Sequence, residues 1–268
     1  MPVEKFTEGI EPNDLDAVIW RFMPFERFVD LLESGQLYFR RSDKLDDEHE
    51  GLPPAEFARL SLGLNRYDIN DVRTLNHDLG TTAQFRQAFY INCWYLFDQE
   101  TATMWAQYGR NGVAIVSRYS LLKTVLEPIP DRPHLGLVRY GWEPGTRWNT
   151  QRFITTKRVE YAHEREVRAA LWLVNSGDSV NRHFDIDNRP HPLPIYDPPD
   201  SLPLGIKRDI DLATLINEVV VAPNAPTERL REVDALVQKV GLSVSVRPSG
   251  LAQYARFLPS AEDLDRFR

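Results

Sequence analysis

The sequence predicts an α+β fold: a single mixed domain with a central, mostly antiparallel sheet, an aromatic core and short helices. Three observations predict it. Short runs rich in β-branched and aromatic residues recur along the chain. Helical spacings separate some of these runs but not others, so the order is not the strict alternation that builds a parallel sheet. Aromatic residues make up 11% of the chain, and several fall inside the strand-like runs.

Residues 17–23, Ala-Val-Ile-Trp-Arg-Phe-Met, read as the first of these strands. In 24–35, Pro24 suits a first helical turn, Phe25, Phe28, Leu31 and Leu32 fall at helical spacing, and Gly35 is placed to end the helix. Residues 36–42 read as a second strand. A polar loop follows, closed by Pro53 and Pro54. Residues 55–88 are helical but weakly patterned. Residues 88–97, Ala-Phe-Tyr-Ile-Asn-Cys-Trp-Tyr-Leu-Phe, are the strongest buried-strand signal in the chain. A short helix is expected next, capped by Thr101 or Asp98 and ended by Gly109. Residues 112–118 read as a strand, 119–126 as a short helix and 135–141 as another strand. The stretch 142–158 fits no single pattern. Residues 166–174 are strand-like, although their alanines leave helix open.

Residues 175–205, rich in Pro, Asp and Asn, read as a long irregular insertion. Residues 216–223 are a strand. Residues 226–241 are a helix with Thr227 as cap and Gly241 as stop, and 242–249 alternate as a strand. The expected organisation is a tail at 1–16 and one domain over 17–268, with a β-α-β segment at 206–250 that forms a small lobe or returns to the main sheet.

Bulk composition narrows the function. A net charge of −7 gives no global electrostatic footprint for nucleic acid or an anionic membrane. With Cys93 as the single cysteine there is no intrachain disulfide and no cysteine metal cluster, which fits a reducing compartment. The first residues are too acidic and polar for a signal peptide, and no apolar run approaches the roughly 20 residues that span a bilayer. A cytoplasmic protein without membrane association is expected. No phosphate-binding glycine loop and no nucleophile elbow occurs.

Several segments, taken in order, resemble the bacterial domain-of-unknown-function family 2971 (DUF2971). They are residues 19–51, 93–116, 138–142, 161–171 and 215–251. Cys93, Met104, Trp105, Tyr108 and Gly112 match the family's second block well. In the first block, whose usual ending is Asn-Asp-Pro-Phe-Glu-Gly-like, Asp46 or Asp47 and the ending Glu50-Gly51 survive. The order of elements is also similar to the ADP-ribosyltransferase superfamily, which opens on a strand bearing Arg or His and carries a catalytic Glu on a late strand. That similarity implies NAD as substrate, cleaved at its nicotinamide bond.

The residues themselves offer a matching constellation, each part of which also has a plain structural explanation. In a strand, Glu164, Glu166 and Arg168 share one side. They are either a solvated charged strand start or the lining of a polar cleft. In the cleft, Glu166 and then Glu164 are the catalytic carboxylates, because positive charge grows on the ribose carbon as nicotinamide leaves. Arg21 is an edge residue or a phosphate anchor, and Arg40 and Arg168 are further candidates for a ligand's phosphates. Trp105 and Tyr108, at helical spacing with Met104, are core or a stacking wall for a flat ring. The loop at 43–51, with five carboxylates and His49, is solvated or offers oxygen ligands, but its spacing matches no metal loop and no metal ligand is assigned.

Two functions follow as expectations. One is an NAD-using ADP-ribosyltransferase-like or NAD-hydrolysing enzyme taking a small nucleotide ligand, its protein or nucleic-acid acceptor left open. The other is a non-enzymatic sensor or interaction domain of a defence or stress system. They separate on whether Arg21, Tyr108 and Glu166 converge on one pocket.

Overall fold

The structure is a computed structural model, and it describes residues 3–6, 9–143, 149–173 and 202–251. The insertion expected at 175–205 lies outside the described residues up to 201. In chain order the elements are β1 (Glu4–Lys5), β2 (Val18–Met23), α1 (Phe25–Ser34), β3 (Gln36–Arg41), α2 (Ala55–Ser61), α3 (Ile69–Phe85) and β4 (Phe89–Leu96). There follow α4 (Ala102–Tyr108), β5 (Val113–Arg118), α5 (Tyr119–Leu126), β6 (His134–Leu137), β7 (Arg139–Tyr140), α6 (Thr150–Ile154), β8 (Thr156–Lys157) and β9 (Glu166–Trp172). The chain closes with β10 (Gly205–Asp209), α7 (Leu212–Leu215), β11 (Glu218–Val221), α8 (Arg229–Lys239) and β12 (Ser245–Pro248). The fold class is α+β with a mixed, mostly antiparallel sheet. No described helix is long and apolar enough to cross a membrane.

Two compact units divide the chain, and each is assembled from three separated stretches. Strand β4 counts with the first unit over 89–93 and with the second from 94 on.

The first unit holds 1–13, 38–93 and 126–208. Its strand order is β1-β6-β9-β4, with β3 on β4 and β10 on β3. Strand β9 pairs antiparallel with β6, His134 facing Ala170 and Leu137 facing Val167. It is buried on both faces, which explains its near-continuous apolar run after Arg168. Phe6, Phe89, Ile91, Ile154 and Ala170 form a core cluster on the face that also carries Arg168 and Glu166. The expected tail is therefore part of the fold. Its residues Glu4 and Lys5 run parallel to β6 and Phe6 is buried. The strand expected over 135–141 is two, because β7 leaves β6 to pair with β8.

The second unit holds 14–37, 94–125 and 209–268. Its described strands run β4-β2-β5-β11-β12. Strand β2 lies antiparallel on β5, and β12 lies parallel on β11, so the last strand returns to the sheet rather than forming a lobe. Local signals here held closely. Gly35 ends α1 in the left-handed conformation at φ 65°, and the Thr101 hydroxyl caps α4 by accepting the Met104 N–H at 3.2 Å. Thr227 does not cap α8, whose first turn begins after Glu228 without a side-chain cap.

Candidate functional site

Arg168 lies in β9 with its side chain fully buried, and β9 also places Glu166 on the same face two residues earlier. The guanidinium donates from Nε to Glu166 Oε1 at 2.7 Å, from Nη1 to the Ile154 carbonyl and from Nη2 to Glu50 Oε1. Just before the strand, a 3-10 turn over Val159–Glu164 ends on Arg165 at φ 46°. A left-handed residue with a Cβ costs about 1 kcal/mol. It turns the chain so that Arg165 is exposed while Glu164 and Glu166 on either side are buried, at 0% and 1% exposure.

Lys157 closes the cluster from the side. It sits in β8, held by the parallel pairing of β8 with β7 that places it opposite Tyr140. Its ammonium donates to Glu164 Oε2 at 2.7 Å and stands 2.7 Å from Glu166 Oε2, without hydrogen-bond geometry to the latter. It lies 3.9 Å from Glu50 Oε1. The Tyr140 hydroxyl oxygen accepts the Glu166 backbone N–H at 2.7 Å, fixing the start of β9.

Glu50 arrives from the loop after β3. That loop is shaped by Asp47, whose carboxylate accepts the His49 N–H and whose carbonyl accepts the Glu50 N–H. Arg86 clamps it by donating to the carbonyls of Glu48 and Glu50 at 2.9 and 2.7 Å. Gly51 then takes φ 78°, and a Cβ there would meet Arg86 Cδ at 3.0 Å. The result turns Glu50 inward, with its side chain 6% exposed, out of a loop otherwise rich in surface charge.

Electrostatics in this setting are decided by pairing. Burial alone would raise the Glu166 carboxyl, but the Arg168 and Lys157 charges outweigh it and hold it at about 2, below its ordinary 4.5. Burial alone would likewise lower Lys157 and Arg168, and the surrounding carboxylates reverse that, so both cations are held firmly protonated. Cys93 packs beside the cluster, and burial, followed by the Glu166 charge, pushes its thiol well up. Burial also pushes up the Tyr140 hydroxyl. These are settings for retained charge on the ion pairs and for an inert thiol.

Above the cluster opens a cavity of about 420 Å³. Its polar lining is Asp47, His49, Glu50, Thr156, Lys157 and Arg158, and its apolar wall includes Leu52, Pro53, Pro54 and Trp142. Trp142 is held by tilted ring contacts to Phe57 at 5.0 Å and Phe153 at 5.7 Å. At the rim Arg158 donates to Asp47 Oδ2 at 3.1 Å and to the Tyr161 hydroxyl at 3.2 Å. Such a cavity, mostly apolar with a few convergent polar groups, is the usual form of a small-molecule site. Glu50 Oε2 accepts no hydrogen bond among the described residues, and Glu50 is the carboxylate of the buried cluster that lines the cavity.

The residues singled out from sequence are distributed as follows. Glu164, Glu166 and Arg168 do come together, but as a buried ion network and neither as a solvated strand start nor as a cleft lining. Arg168 is fully committed to Glu166, Glu50 and the Ile154 carbonyl, so it anchors the Glu50 loop and is not placed to hold a ligand phosphate. Arg40 pairs with Asp46 at 2.9 Å at the start of the Glu50 loop. Arg21, Trp105 and Tyr108 belong to the second unit. There Arg21 lies 5.9 Å above the Trp94 ring. Trp105 is 3% exposed, edge-on to Phe22 at 4.9 Å, and donates its ring N–H to Glu100, so it is core rather than a stacking wall. Tyr108 stacks on Tyr95 at 5.2 Å. Lys157, Trp142 and Tyr140, from the stretch without a clear pattern and its border, were not legible as site residues. Glu50 carried one signal, the Glu50-Gly51 ending.

Among the described residues no group of three His, Cys, Asp or Glu side chains is arranged to hold a metal ion. Comparison with protein-family models, with curated proteins and with solved structures found no match to this chain.

Proposed function

We propose that the chain binds a small molecule in the cavity over Glu50 and that, if NAD is that molecule, it acts as an NAD-hydrolysing or ADP-ribosyl-transferring enzyme. The observation that carries the reading is the Glu50 carboxylate, buried, held through Oε1 by Arg168, from a residue that lines a cavity walled by Trp142. In this chemistry the bond from ribose C1 to the nicotinamide nitrogen breaks and nicotinamide leaves with the electron pair. Water or an acceptor nucleophile then adds to C1 and gives up a proton. A preorganised carboxylate stabilises the positive charge that grows on C1. Glu50 supplies it here; Glu166 and Glu164, each paired to a buried cation, support the floor.

The resemblance to domain-of-unknown-function family 2971 belongs to the same proposal. Its support is the Glu50-Gly51 ending, which supplies the inward carboxylate and the left-handed glycine that aims it. A reducing, cytoplasmic compartment is likewise proposed, supported by the single Cys93. The sensor reading is favoured by the same cluster in one respect: two of its three carboxylates are neutralised, which suits holding a ligand more than turning it over.

The test is incubation with NAD, followed by chromatography for nicotinamide and calorimetry for binding, on the parent chain and on Glu50→Gln. Release that falls roughly 100-fold in Glu50→Gln, the scale of removing one transition-state electrostatic partner, supports the enzyme. Binding without release leaves a sensor. Neither binding nor release overturns the NAD assignment.

A further inference from the structure

The charges around the cavity specify what it takes. Beneath the floor, Glu164 and Glu166 are matched one for one by Lys157 and Arg168. Those four charges, brought by residues 157–168, balance without Glu50. At the rim Arg158 is matched by Asp47. Glu50 is thus the third carboxylate on the Lys157–Arg168 pair. In the ion network the carboxylates of Glu50, Glu164 and Glu166 share Lys157 and Arg168, while the nearby Arg86 guanidinium binds the carbonyls of Glu48 and Glu50. Glu50 Oε2 accepts no hydrogen bond among the described residues and is not shut off from solvent, so a donor that enters the cavity can bond it.

The two cations that line the cavity, Lys157 and Arg158, each already have a carboxylate partner, so an anionic ligand must displace an existing pair there and meets the Glu50 carboxylate. A cation or an N–H donor meets an acceptor without displacing anything. The wall adds a second restriction. Pro53, Pro54 and Leu52 are rigid or branched, and Trp142 is locked by Phe57 and Phe153, so the wall offers fixed apolar faces to a flat ring. A flat cation beside a tryptophan also gains from the ring's negative face.

Resting on the cavity over Glu50 as the functional site, we infer that the group it seats is a planar ring bearing a cationic or N–H-donating substituent, of the amidinium or carboxamide class, and that it excludes anions. Any phosphate of a larger ligand lies outside the cavity, not on Lys157 or Arg168.

The experiment uses three probes with the same ring and different charge: benzamidine, benzamide and benzoate, titrated into the full chain and followed by calorimetry and by tryptophan fluorescence. Benzamidine is expected to bind most tightly, benzamide more weakly and benzoate at least about 10-fold more weakly than benzamidine, the scale of one charge-assisted hydrogen bond. Glu50→Gln keeps the shape and is expected to remove benzamidine's advantage. Ala55→Trp, at an exposed position that lines the cavity, is expected to block all three probes while leaving the thermal midpoint near that of the parent. Benzoate binding as tightly as benzamidine overturns the inference, and so does the failure of all three to bind. If NAD is cleaved and pyrophosphate competes while benzamidine does not, the enzymatic function stands and this inference falls. If NAD and the rings all fail, both fall.

Discussion

Arg168 and Glu166 face each other from one strand, two residues apart, with the guanidinium Nε 2.7 Å from the carboxylate Oε1 and neither side chain in contact with water to any useful extent. On a solvated strand such a pair contributes a few tenths of a kcal/mol. Buried, its value lies in mutual dependence: removing either partner leaves a charge in a medium that cannot solvate it.

Arg168→Met is therefore expected to destabilise the protein by about 3–5 kcal/mol, since it strands Glu166 and Glu50 together. Urea unfolding measures it. A midpoint within error of the parent's would show that the cluster is hydrated in solution.

Acid is expected to attack the same point. Glu166 is held at about 2 against an ordinary 4.5, so its contribution is fully present above pH 4.5 and is lost as the pH falls from there through about 2. That shift corresponds to about 3 kcal/mol. Lys157 is shifted upward, so its contribution is present below its ordinary 10.5 and survives acidification. Comparing unfolding free energies at pH 5 and pH 3, the parent is expected to lose more than Glu166→Gln. Equal losses would remove Glu166 as the cause.

Gly51→Ala tests how the cavity carboxylate is aimed. At φ 78°, with Arg86 Cδ 3.0 Å from the new methyl group, it is expected to cost about 1–2 kcal/mol. It is also expected to weaken benzamidine more than a stability loss of that size explains in a folded protein. Unchanged binding would mean that the loop aims Glu50 without its glycine.

Glu100 in the second unit accepts the Trp105 ring N–H at 2.7 Å, the Ser249 hydroxyl at 2.5 Å and the Gly250 N–H at 2.6 Å. Glu100→Ala leaves three donors without this acceptor and is expected to cost about 1–3 kcal/mol. Amide exchange at 247–251 should accelerate together with the loss. Protection that stays at the parent level would show that the strand pairing of β12 alone holds the segment.

The elements with clean periodicity were legible from sequence. Phe25, Phe28, Leu31 and Leu32 with Gly35 gave α1 nearly to the residue, and Thr101 with Gly109 gave α4. The site was legible only in part. Glu164, Glu166 and Arg168 were found because three charges on one strand face demand an explanation, but their burial rests on Arg165 adopting a left-handed conformation that no glycine or asparagine announces. Lys157 lay in a stretch without periodicity, because β8 is two residues long and exists only through its pairing with β7. Glu50 was hidden by its neighbours, since a carboxylate among carboxylates looks solvated until the backbone is known to turn.

The cluster joins partners of very different separation along the chain. Lys157, Glu164, Glu166 and Arg168 lie within a dozen residues and can meet as soon as β8 and β9 approach. Glu50 meets Arg168 across 118 positions. Closing so long a loop is entropically slow, and such contacts form late when local ones are already in place. A chain caught before that step would hold the Lys157–Glu164–Glu166–Arg168 nucleus without the carboxylate that lines the cavity. Ligand competence is thus expected to lag behind the recovery of secondary structure during refolding, so the last residue to arrive is the one that makes the pocket selective.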